Sequence, residues 1–136
     1  MVKSYFSLAR IIRLTKDRKD NYDVLATLIK VYGDNKRKFK ADIRRVEAES
    51  FMRSGEIKTT LFDLYGVKMS ITEINRTLKY LIYRDAIIQQ FQYTGRATEC
   101  YRVATPLYKK VKETHIKIVL PQKVHQLELG SREQSQ

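Results

Sequence analysis

The chain is poor in the side chains from which reactive centres are usually built. It has one cysteine, Cys100, and two histidines, His115 and His125, both near the C-terminus. A lone cysteine forms no internal disulfide, which fits a reducing, intracellular (cytoplasmic) setting. Cys100 also has no partner at metal-ligand spacing, so neither metal nor cofactor is expected. The phosphate-cradling pattern G-x-x-x-x-G-K-[ST], the dinucleotide pattern G-x-G-x-x-G and the nucleophile pattern G-x-S-x-G are all missing. The acidic residues are scattered, mostly within a turn or two of a base, as surface ion pairs are. Together these absences argue against an enzyme. No apolar run approaches the ~18 residues of a membrane-spanning helix. The N-terminus, with Arg10 and Arg13 inside a short apolar run, is unlike a secretory signal.

Acidic residues are also scarce relative to basic ones. Fifteen Asp/Glu stand against 27 Lys/Arg, a formal net charge of +12 in 136 residues. The first 45 residues carry thirteen basic side chains against five acidic, and the densest run is Lys36, Arg37, Lys38 and Lys40, with Arg44 and Arg45 behind it. Such an excess concentrates phosphates near the surface and speeds encounter with a polyanion, although a merely solubilising surface has the same composition. At 43% apolar and 31% charged, the chain has the composition of one folded domain.

Periodicity divides the chain as follows. Residues 5 to 14 fit a strand or an extended arm, with a helix as the alternative. Asn21 caps a helix of about 22 to 32 that Gly33 stops, and Asp34-Asn35 reads as a turn. A helix from about 37 to 53 carries Phe39, Ile43 and Val46, and Ser54-Gly55 ends it. Thr59 or Thr60 caps a short helix through Tyr65, with Leu61, Phe62 and Leu64 inward, and Gly66 closes it.

The clearest signal follows. Ser70 and Glu73 form the pattern S-x-x-E, a reciprocal helix cap. Ile71, Ile74, Leu78, Leu81 and Ile82 make the buried stripe of that helix, leaving Thr72, Asn75, Arg76, Lys79 and Tyr80 on the outward side or its flank. Two alternating segments, 88 to 93 and 99 to 103, flank Thr94-Gly95-Arg96-Ala97 and read as a hairpin. Thr105-Pro106 starts another helix, with Leu107, Tyr108 and Val111 inward. Ile116, Ile118 and Leu120 suit a last strand, and the polar end, 126 to 136, reads as a disordered tail.

The segments I-N-R-T-L-K-Y-L-I-Y-R-D-A-I-I at 74 to 88 and R-A-T-E-C-Y-R-V-A-T at 96 to 105 carry a family resemblance. In this order of helix, tight turn, capped helix and basic hairpin, residues of about 40 to 114 resemble winged-helix DNA-binding domains, among them regulators of the MarR and PadR type. Asp85 stands where that family commonly has glycine, and the connection from Gly66 to Ser70 is slightly long for it. The resemblance implies a mostly helical α+β fold: a winged helix-turn-helix within a single domain of 1 to 125, with an N-terminal extension of 1 to 35.

It also implies double-stranded DNA as partner, a homodimer and a role in transcription regulation. The helix of 71 to 84 would enter the major groove. Arg76 then suits guanine, Asn75 adenine, and Thr72 a thymine methyl or a phosphate; Ser70, Lys79 and Tyr80 lie nearer the backbone. Arg96, at the wing tip, would reach a minor groove or grip phosphate. Lys36, Arg37, Lys38, Lys40, Lys58, Thr59 and Lys68 are further candidates for phosphate contact. Three other readings stay open: an organiser of plasmid or viral DNA at partition or replication sites, a protein-interaction module in a larger assembly, and a binder of structured RNA.

Overall fold

The computed structural model of the chain describes residues 8–40, 42–94 and 96–114. Six helices and one hairpin succeed one another: α1 (Leu8–Thr15), α2 (Lys19–Phe39), α3 (Ile43–Glu49), α4 (Ser54–Tyr65), α5 (Ile71–Tyr83), β1 (Ile87–Thr94), β2 (Arg96–Val103) and α6 (Thr105–Thr114). The fold is therefore α+β with helix in excess. The strands pair antiparallel in register from Ile87 opposite Val103 to Thr94 opposite Arg96. Among the described residues, no helix is long and apolar enough to cross a membrane.

Helix α2 is the central element, touched by α1, α3, α4, α5 and β2. Its Val24, Leu25, Leu28 and Tyr32 are buried with Ile57 and Leu61 of α4, Ile74, Leu78 and Leu81 of α5, and Leu107 of α6. The 3.6-residue period dictates which side of each helix joins this core. On α5 the stripe of Ile74, Leu78 and Leu81 is inward as the sequence predicts, but Ile71 and Phe62, also expected inward, are exposed.

Several expectations give way in the first half. Residues 8–15 are helix, not strand. Ile11 and Leu14, three apart, are buried while Ile12 is open, a pattern a helix produces and a strand alternation does not. Asn21 does not cap a helix from outside: it lies within α2, buried, and its Nδ2 donates to Leu14 O at 2.9 Å, tying α2 back to α1. Gly33 does not stop α2. A Cβ there would lie 3.3 Å from the Tyr108 hydroxyl oxygen, so the glycine lets α6 approach α2 closely, with the Tyr32 and Tyr108 rings 4.5 Å apart between centroids.

The helix read as 37 to 53 is two pieces. Helix α2 ends at Phe39, and the Asp42 carboxylate then caps α3, Oδ1 accepting from Arg45 N at 3.2 Å. Ser54-Gly55 opens α4 rather than closing α3. The Arg53 amide donates to Glu56 Oε1 at 2.8 Å, tying the start of the helix and leaving Thr59 and Thr60 in its interior. Gly66 closes α4 in the left-handed conformation, φ 69°, and its N–H donates to Phe62 O.

Lys40 occupies φ 50°, ψ −114°, a region that L side chains rarely adopt and glycine adopts readily. Strain of this kind costs on the order of 1 kcal/mol or more. Lys40→Gly is therefore expected to raise stability by about 1 kcal/mol, seen as a higher urea midpoint with an unchanged denaturant slope. A lower midpoint would show that the lysine side chain contributes more than its backbone conformation costs.

Burial also sets an alkaline limit. The phenols of Tyr65 and Tyr101 are each pushed up from 10.0 to about 12. Desolvation is the main cause for both. Negative charge at Asp34 adds to it for Tyr65, and acceptance by Glu99 of the phenolic hydrogen bond adds to it for Tyr101. A folded pKa above the unfolded one gives stability that is complete below pH 10 and lost as pH rises towards 12. Phenolate absorbance should thus rise together with unfolding in that window. Tyr65→Phe and Tyr101→Phe should each flatten the loss.

Candidate nucleic-acid interface

The second half of the fold presents one polar surface from three elements. The α4–α5 pair is set by the connection of 66 to 70, in which Gly66 reverses the chain and Lys58 Nζ donates to Met69 O at 2.7 Å. Helix α5 then starts at its reciprocal cap. Glu73 N donates to Ser70 Oγ at 3.1 Å and Ser70 N donates to Glu73 Oε1 at 2.9 Å. The backbone hydrogen bond from Ser70 is the largest influence holding the Glu73 carboxyl below its usual range; the Ser70 hydroxyl, Arg76 and Lys58 add to it.

From that start the outward side of α5 is open. Thr72, Asn75, Arg76 and Lys79 are all exposed, as is Ser70. Among the described residues the Arg76 guanidinium makes no hydrogen bond, and its influence on Glu73 is through charge. Tyr80 differs from the others. It is half-buried, with the Arg18 and Arg84 guanidinium carbons 5.3 and 6.0 Å from its ring centroid, so α1–α2 and the end of α5 close round it.

Beside this face runs a groove of about 800 Å³ between the start of α4, α5 and the hairpin. Asn75 and Lys79 form one wall, Arg53 and Ser54 the second, and Gln89, Thr98, Glu99 and Tyr101 the third. The hairpin is fastened here by a two-way backbone bridge. Met52 N donates to Tyr101 O and Tyr101 N donates to Met52 O, both at 2.8 Å. A single residue preceding α4 thus adds the beginning of a third strand. Along the hairpin wall Tyr101 donates to Glu99 Oε1 at 2.7 Å, and across the groove Ser54 Oγ donates to Asn75 Oδ1 at 2.6 Å. Sequence reasoning passed over Arg53, Ser54 and Glu99. The available signal was R-x-x-E at 53 to 56, a weaker helix start than the one at Ser70.

The remaining candidates fall in two places. Lys58, Thr59, Lys68 and Ser70 line a separate cleft of about 500 Å³ between α4 and the connection to α5, with the exposed Phe62 beside them. Lys36, Arg37, Lys38 and Lys40 are exposed at the end of α2, where Lys36 lies 5.6 Å from the Tyr108 ring, Arg37 pairs with Asp34 and Lys38 flanks Phe39. These contacts are with α6 and with α2 itself, and none is with α5. Arg96 begins β2 and Gly95 precedes it; the Arg96 side chain and Gly95 lie outside the described residues, as do His115, His125, the strand expected at 116 to 120 and the polar tail. Cys100 is buried, which pushes its thiol up and away from reactivity. Among the described residues there is no group of three or more His, Cys, Asp or Glu placed to hold a metal ion.

No protein-family model matches the chain, and no curated protein or solved structure matches it either.

Proposed function

We propose that this protein is a winged helix-turn-helix DNA-binding protein that inserts α5 in the major groove of a duplex and acts as a homodimeric transcriptional regulator. The observation that carries the reading is the outward side of α5. Thr72, Asn75, Arg76 and Lys79 stand exposed on a helix whose other side is locked in the core, and a hairpin stands directly beside it. The rest of the arrangement supports it. Helix α4, the turn at Gly66 and α5 follow one another as a helix-turn-helix does, and the Met52–Tyr101 bridge ties the residue stretch before α4 to the returning strand of the hairpin.

The donor groups suit the partner. A guanidinium reads guanine O6 and N7, and lysines at the margins neutralise phosphates. With a net charge of +12, association is strengthened at low salt and weakened as counterions compete. Regulation in this reading is by occupancy: the bound dimer covers a promoter and carries out no chemical step. Two α5 helices on a two-fold axis would lie about 34–36 Å apart, one duplex turn, and require a near-palindromic site.

The test is selection of bound duplexes from a random pool at near-physiological salt. A short two-fold motif supports both the regulator and the dimer. Tandem protection without a motif turns the reading towards an organiser of DNA. Weak retention that vanishes at moderate salt turns it towards a protein-interaction module.

A further inference from the structure

The amide of Asn75 is not a free edge. Reading adenine requires an asparagine to accept from the base amino group with Oδ1 while donating from Nδ2 to N7. Here Oδ1 already accepts from the Ser54 hydroxyl at 2.6 Å, across the gap between α4 and α5. In this arrangement the serine hydroxyl donates and the amide carbonyl oxygen accepts. Nδ2 is left outward, and among the described residues it has no hydrogen-bond acceptor.

Ser54 is itself held. It lies half-buried in the first turn of α4, immediately after Arg53, whose amide is bonded to Glu56. Behind it Tyr101 commits its proton to Glu99 at 2.7 Å.

We infer that Ser54 determines which base Asn75 reads, by engaging Oδ1 and presenting Nδ2 alone to the duplex: adenine then offers only N7 and sets its N6 amino group against a donor, whereas guanine offers both N7 and O6 and thymine offers O4, so guanine or thymine is selected over adenine. The inference rests on the proposed DNA-binding function and adds to it. Asn75 becomes a donor beside two others, Arg76 and Lys79, and α5 addresses a run of acceptors. The expectation of an adenine contact, natural for asparagine from its chemistry alone, is replaced by its opposite.

The experiment measures binding of the full chain to its selected duplex and to all single-base variants of it, for the wild type, Asn75→Ala, Ser54→Ala and Ser54→Thr. Asn75→Ala should relax one position, and the wild type should prefer guanine or thymine there. Ser54→Ala frees the amide to turn and should shift preference towards adenine at that position alone, by about fivefold or more. Ser54→Thr keeps the hydroxyl and should keep the wild-type preference. Adenine preferred by the wild type at the Asn75-dependent position would overturn the inference while leaving DNA binding intact. So would an unchanged preference in Ser54→Ala, or no position relaxed by Asn75→Ala. Failure of the wild type to select any motif would instead remove the proposed function beneath it.

Discussion

Arg76→Ala is expected to weaken binding to the selected duplex by about 1–3 kcal/mol, roughly 5- to 150-fold, and to relax base preference at one position. The magnitude follows from the residue's situation. Its guanidinium is exposed and makes no hydrogen bond to the described residues, so nothing in the protein competes with a base for its donors. A fixed fork of donors on the outward side of a helix matches the two acceptors on the major-groove edge of guanine. For the same reason its loss should leave stability within about 0.5 kcal/mol, as surface substitutions usually do. Equilibrium anisotropy on specific and random duplexes, with urea unfolding alongside, checks both halves.

Lys68→Ala provides the contrast, because its exposed side chain makes no hydrogen bond or ion pair among the described residues. A phosphate contact should be lost evenly across all sequences, with the salt slope falling by about 1. If Arg76→Ala weakened specific and random duplexes alike, Arg76 would be a backbone contact and the base reading would pass to another residue. If it weakened neither, the outward side of α5 would not be the DNA-binding surface.

The parts of this molecule that were legible in its sequence are those whose signals are local. The reciprocal cap at Ser70 and Glu73, the inward stripe of Ile74, Leu78 and Leu81, and the left-handed Gly66 each depend on residues within a turn or two, and all three lie where the sequence places them. The exposed set Thr72, Asn75, Arg76 and Lys79 follows from the same period. What was not legible depends on partners far along the chain. Gly33 looks like a stop until Tyr108, 75 residues on, is seen to need the space. Asn21 looks like a cap until Leu14 O is seen to accept from it.

Tyr80 has the spacing of an outward residue, and only Arg18 beside its ring shows that it is half enclosed. Lys40 and Asp85 hold left-handed φ values of 50° and 62° without being glycine, so the composition rule that locates such turns misses them. The Ser54–Asn75 bond joins two helices and has no sequence signature at all.

Leu78→Ala should have the opposite signature to Arg76→Ala. Leu78 is 1% exposed, in the middle of the α5 stripe, and reaches the floor of the groove beside Asn75 and Lys79. Removing its branched end leaves a cavity that the surrounding helices fill only in part, at a cost of about 2–5 kcal/mol. Against the total stability of roughly 5–15 kcal/mol typical of a single domain, that is a large fraction. The thermal midpoint should drop by on the order of 10 °C or more. Well below the midpoint, the folded fraction still carries Asn75, Arg76 and Lys79 on the outward side, so base preference should match the wild type even as stability falls. The two substitutions thus divide one helix into a side that holds it and a side that, in the proposed function, reads. A stability loss under about 1 kcal/mol for Leu78→Ala would mean that the stripe does not anchor α5. Altered base preference at low temperature would mean that the two sides are not independent, and that the outward residues owe their positions to the packing of Leu78.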